Sequence, residues 1–317
     1  MAKISIDDIR AAAQRIAPYV HRTPVMSSAA LNRIANAEIF FKCENLQKAG
    51  AFKIRGATNA VFALEQAAAD RGVATHSSGN HAAALALAAH NRGIPATVVM
   101  PDNAVPVKRA AVTHYGASIV LCEPTLAARE ATLASVVEFS RATVIHPYND
   151  ERVIAGQATV ALELCAEIDS LDCVIAPVGG GGLLSGTALS VRACSPRTRV
   201  FGAEPDCCDD ARQSFHSGRL LPATGNRSIA DGLLTSLGDK TFAIIREQVE
   251  DILTVSEQEI VSAMRPIWER MKLVVEPSAA VPLAVLLKHS RRFAGQRVGI
   301  VLSGGNVDVE SVPWRNA

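Results

Sequence analysis

A lysine shielded from water loses part of its charge, and its neutral amine can then act as a nucleophile or a base. Lys53 is placed for that role in GAFKIRG (50–56), between an aromatic and a β-branched residue, in a pattern that reads as the packed start of a helix. A second chemical signal is PVGGGGLLSG (177–186), where an apolar strand runs into Gly179, Gly180, Gly181 and Gly182 and then into a helical pattern from Leu183. Glycines let backbone N–H groups approach an anion, and a helix N-terminus adds partial positive charge, so the segment reads as a phosphate cradle. It is not a Walker loop, because no Gly-Lys-Ser/Thr follows, nor the usual dinucleotide fingerprint, because no ribose-binding acid stands at a suitable distance. A tight strand-to-helix turn is the plainer alternative.

Three further segments could carry chemistry. HSSGNHAAA (76–84) sets Ser77, Ser78, Asn80 and His81 at a strand end and helix start, where hydroxyls and free N–H groups suit a carboxylate. Simple capping of the helix by Asn80 is the alternative. VLSGGNVD (301–308) puts Ser303 at the carboxyl end of a strand, the end that parallel sheets turn towards ligands, and it too has a plain turn as its alternative. In GAEPDCCDDA (202–211), Glu204, Asp209 and Asp210 offer hard oxygens to a cation such as Mg²⁺ or Ca²⁺, or else form an acidic helix start. Cys207 and Cys208 do not make a zinc site, since adjacent thiols rarely bind one ion and no second Cys or His pair complements them. One cofactor satisfies a desolvated lysine and a phosphate cradle together: pyridoxal 5′-phosphate.

The elements that must position these residues alternate short β-rich runs with longer Ala- and Leu-rich ones, the pattern of crossover helices on a mainly parallel sheet. Strands are expected at 38–44, 73–77, 96–101, 117–123, 143–147, 172–178, 199–205, 251–256 and 297–303. Helices are expected at 80–93, with Asn80 as N-cap and Gly93 as stop, and at 276–290, with Pro277 in the first turn. HPYNDERVIAGQ (146–157) reads as a crossing back into a second sheet, giving a large lobe of 1–71 with 148–317 and a small lobe of 72–147. A ligand would lie between them.

Composition agrees with this picture. The 317 residues are 49% hydrophobic and 20% charged, enough for two lobes with real cores, and no regulatory domain is expected after the last strand. Lys and Arg number 32 against 31 for Asp and Glu, so nothing favours nucleic acid or an anionic membrane as partner. The start, MAKISIDDIR, lacks the pattern of a secretory signal, no run approaches the roughly 20 apolar residues of a membrane span, and the cytoplasm is the expected compartment. Seven cysteines, among them Cys43, Cys122, Cys165 and Cys173, form no CxxC pair and are expected to be mostly buried thiols.

Taken in order, ENLQKAGAFKIRGA (44–57), HSSGNHAAA, PVGGGGLLSG, GAEPDCCDDA and LSGGNVD resemble the fold-type II pyridoxal phosphate enzymes, in particular the serine racemase and serine/threonine dehydratase group. The resemblance covers nearly the whole chain. It implies two α/β lobes with open, twisted, mainly parallel sheets of the tryptophan synthase β kind. It further implies Lys53 as the Schiff-base lysine, Phe52 packed on the cofactor ring, and Gly179 to Leu183 as the phosphate loop. Asn80 would face the phenolic oxygen and Ser303 the pyridine nitrogen, with Gly232 and Glu276 nearby. Ser77, Ser78, Asn80 and His81 would hold the substrate carboxylate, Arg129 would contact substrate, and Ser78 would be the second base of a racemase. Glu204, Asp210 and the carbonyl of Cys208 would bind a divalent cation, Mg²⁺ with Mn²⁺ or Ca²⁺ as alternatives. The implied activity is loss of water and ammonia from a β-hydroxy amino acid by a homodimer. CENLQKAGAFK resembles bacterial hydroxyaspartate dehydratases, which favours β-hydroxyaspartate, with serine or threonine dehydration or serine racemisation as the alternative. A non-catalytic anion-binding protein would leave Lys53 without a role.

Overall fold

The computed structural model describes residues 4–314 apart from 78, 105 and 224–226. Among these, ten strands form two sheets: β1 (Val25–Met26), β2 (Glu38–Cys43), β3 (Val73–His76), β4 (Ala96–Pro101), β5 (Ser118–Cys122), β6 (Thr143–Val144), β7 (Cys173–Pro177), β8 (Arg199–Pro205), β9 (Asp251–Val255) and β10 (Arg297–Leu302). One sheet has the order β1-β2-β10-β7-β8-β9 and the other β5-β4-β3-β6. All pairings are parallel except β1 with β2, where Val25 faces Lys42.

Every residue of β7 is buried, as expected of a central parallel strand covered by helices on both faces. Parallel pairing has a functional result: the carboxyl ends of β3, β7, β8 and β10, which lead into Ser77, Gly179, the Glu204 turn and Ser303, emerge at the same edges of their sheets. The helix Lys53–Phe62 leaves the larger sheet, yet its Ile54, Ala57 and Val61 pack with Leu85, Val98 and Val153. It forms the seam between the sheets and places Lys53 at its first turn.

Three local expectations are corrected. The helix Asn80–Arg92 has Gly79, not Asn80, as its N-cap, because the Asn80 side chain is engaged elsewhere. The strand expected at 143–147 ends at Val144, since His146 leaves the sheet to anchor a turn. Of the seven cysteines, none in a disulfide, only Cys43, Cys173 and Cys208 are buried, while Cys122, Cys165 and Cys207 are half-buried and Cys194 is exposed. The helix Pro277–Lys288 keeps its proline at the first position, after Glu276 as N-cap. β1 escaped sequence reading because two residues are too short to show alternation. Among the described residues no helix is long and apolar enough to cross a membrane.

Candidate active site

A cleft of about 510 Å³ opens where the strand ends meet. Lys53 projects into it from the first turn of its helix, with Nζ donating to the carbonyl of Pro147 at 3.0 Å. Burial pushes its amine down to about 8, against the opposing charge of Glu276. A substantial neutral fraction is therefore present near physiological pH, which an exposed lysine would not have. Phe52 lies beside it, its ring centroid 5.2 Å from Nζ, and its N–H donates to the carbonyl of Ser303 at 3.0 Å. That bond ties the lysine helix to the end of β10.

The four glycines line the same cleft with Leu183. Gly181, with φ +85°, turns the chain from β7 into the helix Gly182–Cys194, whose first N–H groups have no intrahelical partner. The Thr241 hydroxyl donates to the Gly180 carbonyl at 2.9 Å and holds the loop open. A side chain would fill this cradle: a Cβ at Gly179 would sit 2.9 Å from the Cα of Leu233, and one at Gly180 would run into the Tyr148 ring. Free N–H groups, a helix N-terminus and a backbone stripped of side chains together fit a phosphate.

Asn80, Glu276 and Asn306 form one polar chain on the wall beside Lys53. The Asn80 amide nitrogen donates to both carboxyl oxygens of Glu276 at 2.9 and 3.1 Å, and the Asn306 amide donates to Asn80 Oδ1 at 2.9 Å. Burial raises the Glu276 carboxyl to about 7, opposed by the Asn80 hydrogen bond. Ser303 is buried at the cleft floor, and Gly232, which also lines the cleft, donates its N–H to Ser278 Oγ at 3.1 Å. Ser278 was not anticipated; its only sequence signal was its place in the EPSAAV helix start.

At the other end lie Ser77, His81 and Arg129. Ser77 Oγ accepts the Gly79 N–H at 3.3 Å. The buried His81 ring has Nε2 3.2 Å from the carbonyl of Ile145, and burial, followed by the charge of Lys53, pushes it down to about 3. His81 is thus a neutral, fixed ring. Arg129 reaches the cleft from the helix Leu126–Ser140, next to His76, which burial and then the Arg129 charge hold below its ordinary value. Ser78 lies outside the described residues. Sequence reading missed His76, His146 and Tyr148, which also line this end.

Glu204, Cys208 and Asp210 do not line the cleft; they cluster behind it at the end of β8. Glu204 accepts the N–H groups of Ala211 and Arg212 at 3.0 and 2.9 Å, and burial pushes it up to about 9. Both Asp210 oxygens are buried without a hydrogen-bond partner, and burial raises that carboxyl to about 6. Among the described residues no group of three or more His, Cys, Asp or Glu side chains is gathered to hold a metal. A cation here would depend on two carboxylates plus main-chain oxygen, and the orphaned Asp210 fits one.

Comparison with known proteins agrees with this geometry. The chain is 51% identical over 308 residues to a beta-hydroxyaspartate dehydratase of Paracoccus denitrificans (strain Pd 1222), covering 97% of this chain and 98% of that one. It is 47% identical over 304 residues to an L-threo-3-hydroxyaspartate ammonia-lyase of Saccharomyces cerevisiae, covering 96% of this chain and 94% of the other. The crystal structure of serine racemase from Dictyostelium discoideum superposes with a TM-score of 0.93 at 45% identity, over 97% of this chain and 100% of that chain. Residues 16–304 match the family described as pyridoxal-phosphate dependent enzyme, and the chain belongs to that family.

Proposed function

We propose that this protein is a pyridoxal phosphate-dependent ammonia-lyase that dehydrates 3-hydroxyaspartate, yielding a 2-oxo acid and ammonia. One observation carries the reading: a lysine amine lowered to about 8 shares a single cleft with a glycine phosphate cradle. When bound, pyridoxal phosphate supplies an aldehyde that accepts amines and a conjugated ring that spreads negative charge from Cα. The glycine loop, Gly179 to Leu183, would hold its phosphate through main-chain N–H groups, and Phe52 would pack on its ring. Ser303 would offer the ring nitrogen a neutral hydroxyl, and Asn80, Gly232 and Glu276 would line the polar edge.

Lys53 takes the proton from the substrate Cα. The β-hydroxyl then leaves as water, and the enamine released becomes an imine that hydrolyses. A neutral Ser303 hydroxyl as partner of the ring nitrogen would suit β-elimination. The α-carboxylate is held by Ser77, Ser78, Asn80 and His81 at the start of the helix Asn80–Arg92, and Arg129 pairs with the second carboxylate. The names of the dehydratase and ammonia-lyase relatives support this substrate. A second reading, dehydration of serine or threonine or racemisation with Ser78 as opposite-face base, is favoured by the serine racemase likeness.

The same proposal includes a divalent cation, Mg²⁺ first, at Glu204, Asp210 and the carbonyl of Cys208, supported by the unpartnered Asp210 oxygens. It also includes a homodimer, carried over from the resemblance, with the cytoplasm as its compartment. The lobes are residues 1–71 with 148–317 and residues 72–147, supported by the way each range contributes the strands of one sheet.

The test is release of ammonia and oxo acid from the 3-hydroxyaspartate stereoisomers, serine and threonine, with and without EDTA. At least one hydroxyaspartate isomer is expected to exceed serine and threonine tenfold or more in kcat/KM, roughly the discrimination of one charged pairing. Preference for serine or threonine, or racemisation outrunning elimination, favours the second reading. EDTA is expected to lower the melting temperature and Mg²⁺ to restore it; an unchanged melting temperature removes the cation.

A further inference from the structure

His146 sits between β6 and the helix Glu151–Glu167, in a stretch whose sequence reads only as a crossover. Its Nδ1 accepts two main-chain N–H groups, from Tyr148 at 3.3 Å and Asn149 at 2.9 Å. A nitrogen that accepts cannot carry the proton, so the proton resides on Nε2. Charging the ring would push a second proton towards two donors. Burial acts in the same direction, followed by the nearby His76 and Lys53, and the ring is pushed down to about 4. His146 is therefore a neutral donor with a fixed orientation.

Among the described residues that donor has no acceptor: Nε2 makes no hydrogen bond there, and the ring lines the cleft. The ring is held edge-on between His76, at 6.3 Å between centroids, and Tyr148, at 4.6 Å. Tyr148 packs against Gly180 of the phosphate loop, and His76 lines the same cleft as Arg129, whose charge acts on it. His146 thus stands between the cofactor anchor and the arginine. With the phosphate assigned to the glycine loop and the α-carboxylate to residues 77–81, the acceptor left for it is on the substrate's β-substituent.

We infer that His146 is a specificity-determining residue, donating Nε2–H to the distal carboxylate of a four-carbon β-hydroxy amino acid beside Arg129. This rests on the substrate reading above. A neutral donor suits the position, because it recognises an anion without adding a positive charge that would further deprotonate Lys53 and weaken its hold on Glu276.

The test uses His146→Asn in the holoenzyme. An asparagine oxygen still accepts the N–H two residues on, preserving the turn, but nothing replaces Nε2–H in the cleft. Succinate, with the same two carboxylates and no amine, is the binding probe. With cofactor absorbance and circular dichroism matching wild type, His146→Asn is expected to bind succinate about tenfold more weakly. The kcat/KM ratio of 3-hydroxyaspartate to serine is expected to fall by roughly ten- to a hundredfold, the range of a hydrogen bond to a charged group. His146→Gln, whose longer amide extends an N–H into the cleft, recovers part of the succinate affinity.

Succinate affinity within twofold of wild type in both variants overturns the assignment. So does an equal loss on serine and hydroxyaspartate. A wild-type enzyme that prefers serine defeats the substrate reading instead, and the succinate comparison still decides the role of His146.

Discussion

Replacing Lys53 by alanine is expected to lower kcat/KM by at least about 10³-fold, because it removes the amine proposed to take the Cα proton and to hold the cofactor covalently. Lys53→Arg is expected to fail equally. Arginine keeps the positive charge but does not deprotonate, so it offers neither a nucleophile nor a base. Cofactor affinity is expected to fall less than turnover, since the glycine loop and Phe52 are untouched and Gly181 still turns the chain into the helix N-terminus proposed to face the phosphate. Equilibrium dialysis against pyridoxal phosphate, beside ammonia release, separates the two effects. A Lys53→Ala enzyme within tenfold of wild type would remove the catalytic role of this lysine.

The second large effect is on stability. Arg55, two residues on, points away from the cleft and is fully buried. Its Nε and Nη2 donate to the two oxygens of Glu44, both at 2.8 Å, and its Nη1 and Nη2 donate to Glu163 at 2.7 and 2.8 Å. Lys42, also fully buried, donates to Glu163 and to the carbonyl of Thr23, both at 2.6 Å. Two cations thus face two anions with no net charge. Burial opposes the Arg55 charge, yet Glu44 and Glu163 outweigh it and hold the guanidinium above its ordinary range.

Arg55→Ala leaves Glu44 as an uncompensated buried charge with little beyond the Thr23 hydroxyl, and costs about 3–5 kcal/mol. Denaturant unfolding measures this directly. Adding Glu44→Gln to Arg55→Ala is expected to recover part of the loss, because the orphaned charge is gone. A loss below about 1 kcal/mol for Arg55→Ala, the scale of an exposed pair, would mean that the network does not brace the lysine helix.

What could be read from sequence was what is local. The glycine run, the strand-to-helix transitions and the lysine between Phe52 and Ile54 are each contained in a few residues, and the ordered motifs brought distant segments into one family. The parallel sheets followed from the alternation of elements. Partnerships across the chain could not be read that way. Asn80 and Glu276 are separated by 196 positions, and Arg55 and Glu163 by 108, so no spacing announces either contact.

Asn80 shows the cost of reading locally. By type and position it looks like a cap, but its amide is drawn to Glu276 and Asn306, and Gly79 takes the cap position instead. His146 stayed invisible for a related reason. The role inferred for it comes from a turn that occupies one ring nitrogen of a side chain lining the cleft, and nothing in HPYND specifies that arrangement.

The most direct single measurement is borohydride reduction of the holoenzyme followed by mass spectrometry of its peptides. The expected result is one phosphopyridoxyl group per chain on Lys53. A label on another lysine, or none on a chain saturated with cofactor, would contradict the assignment of this cleft.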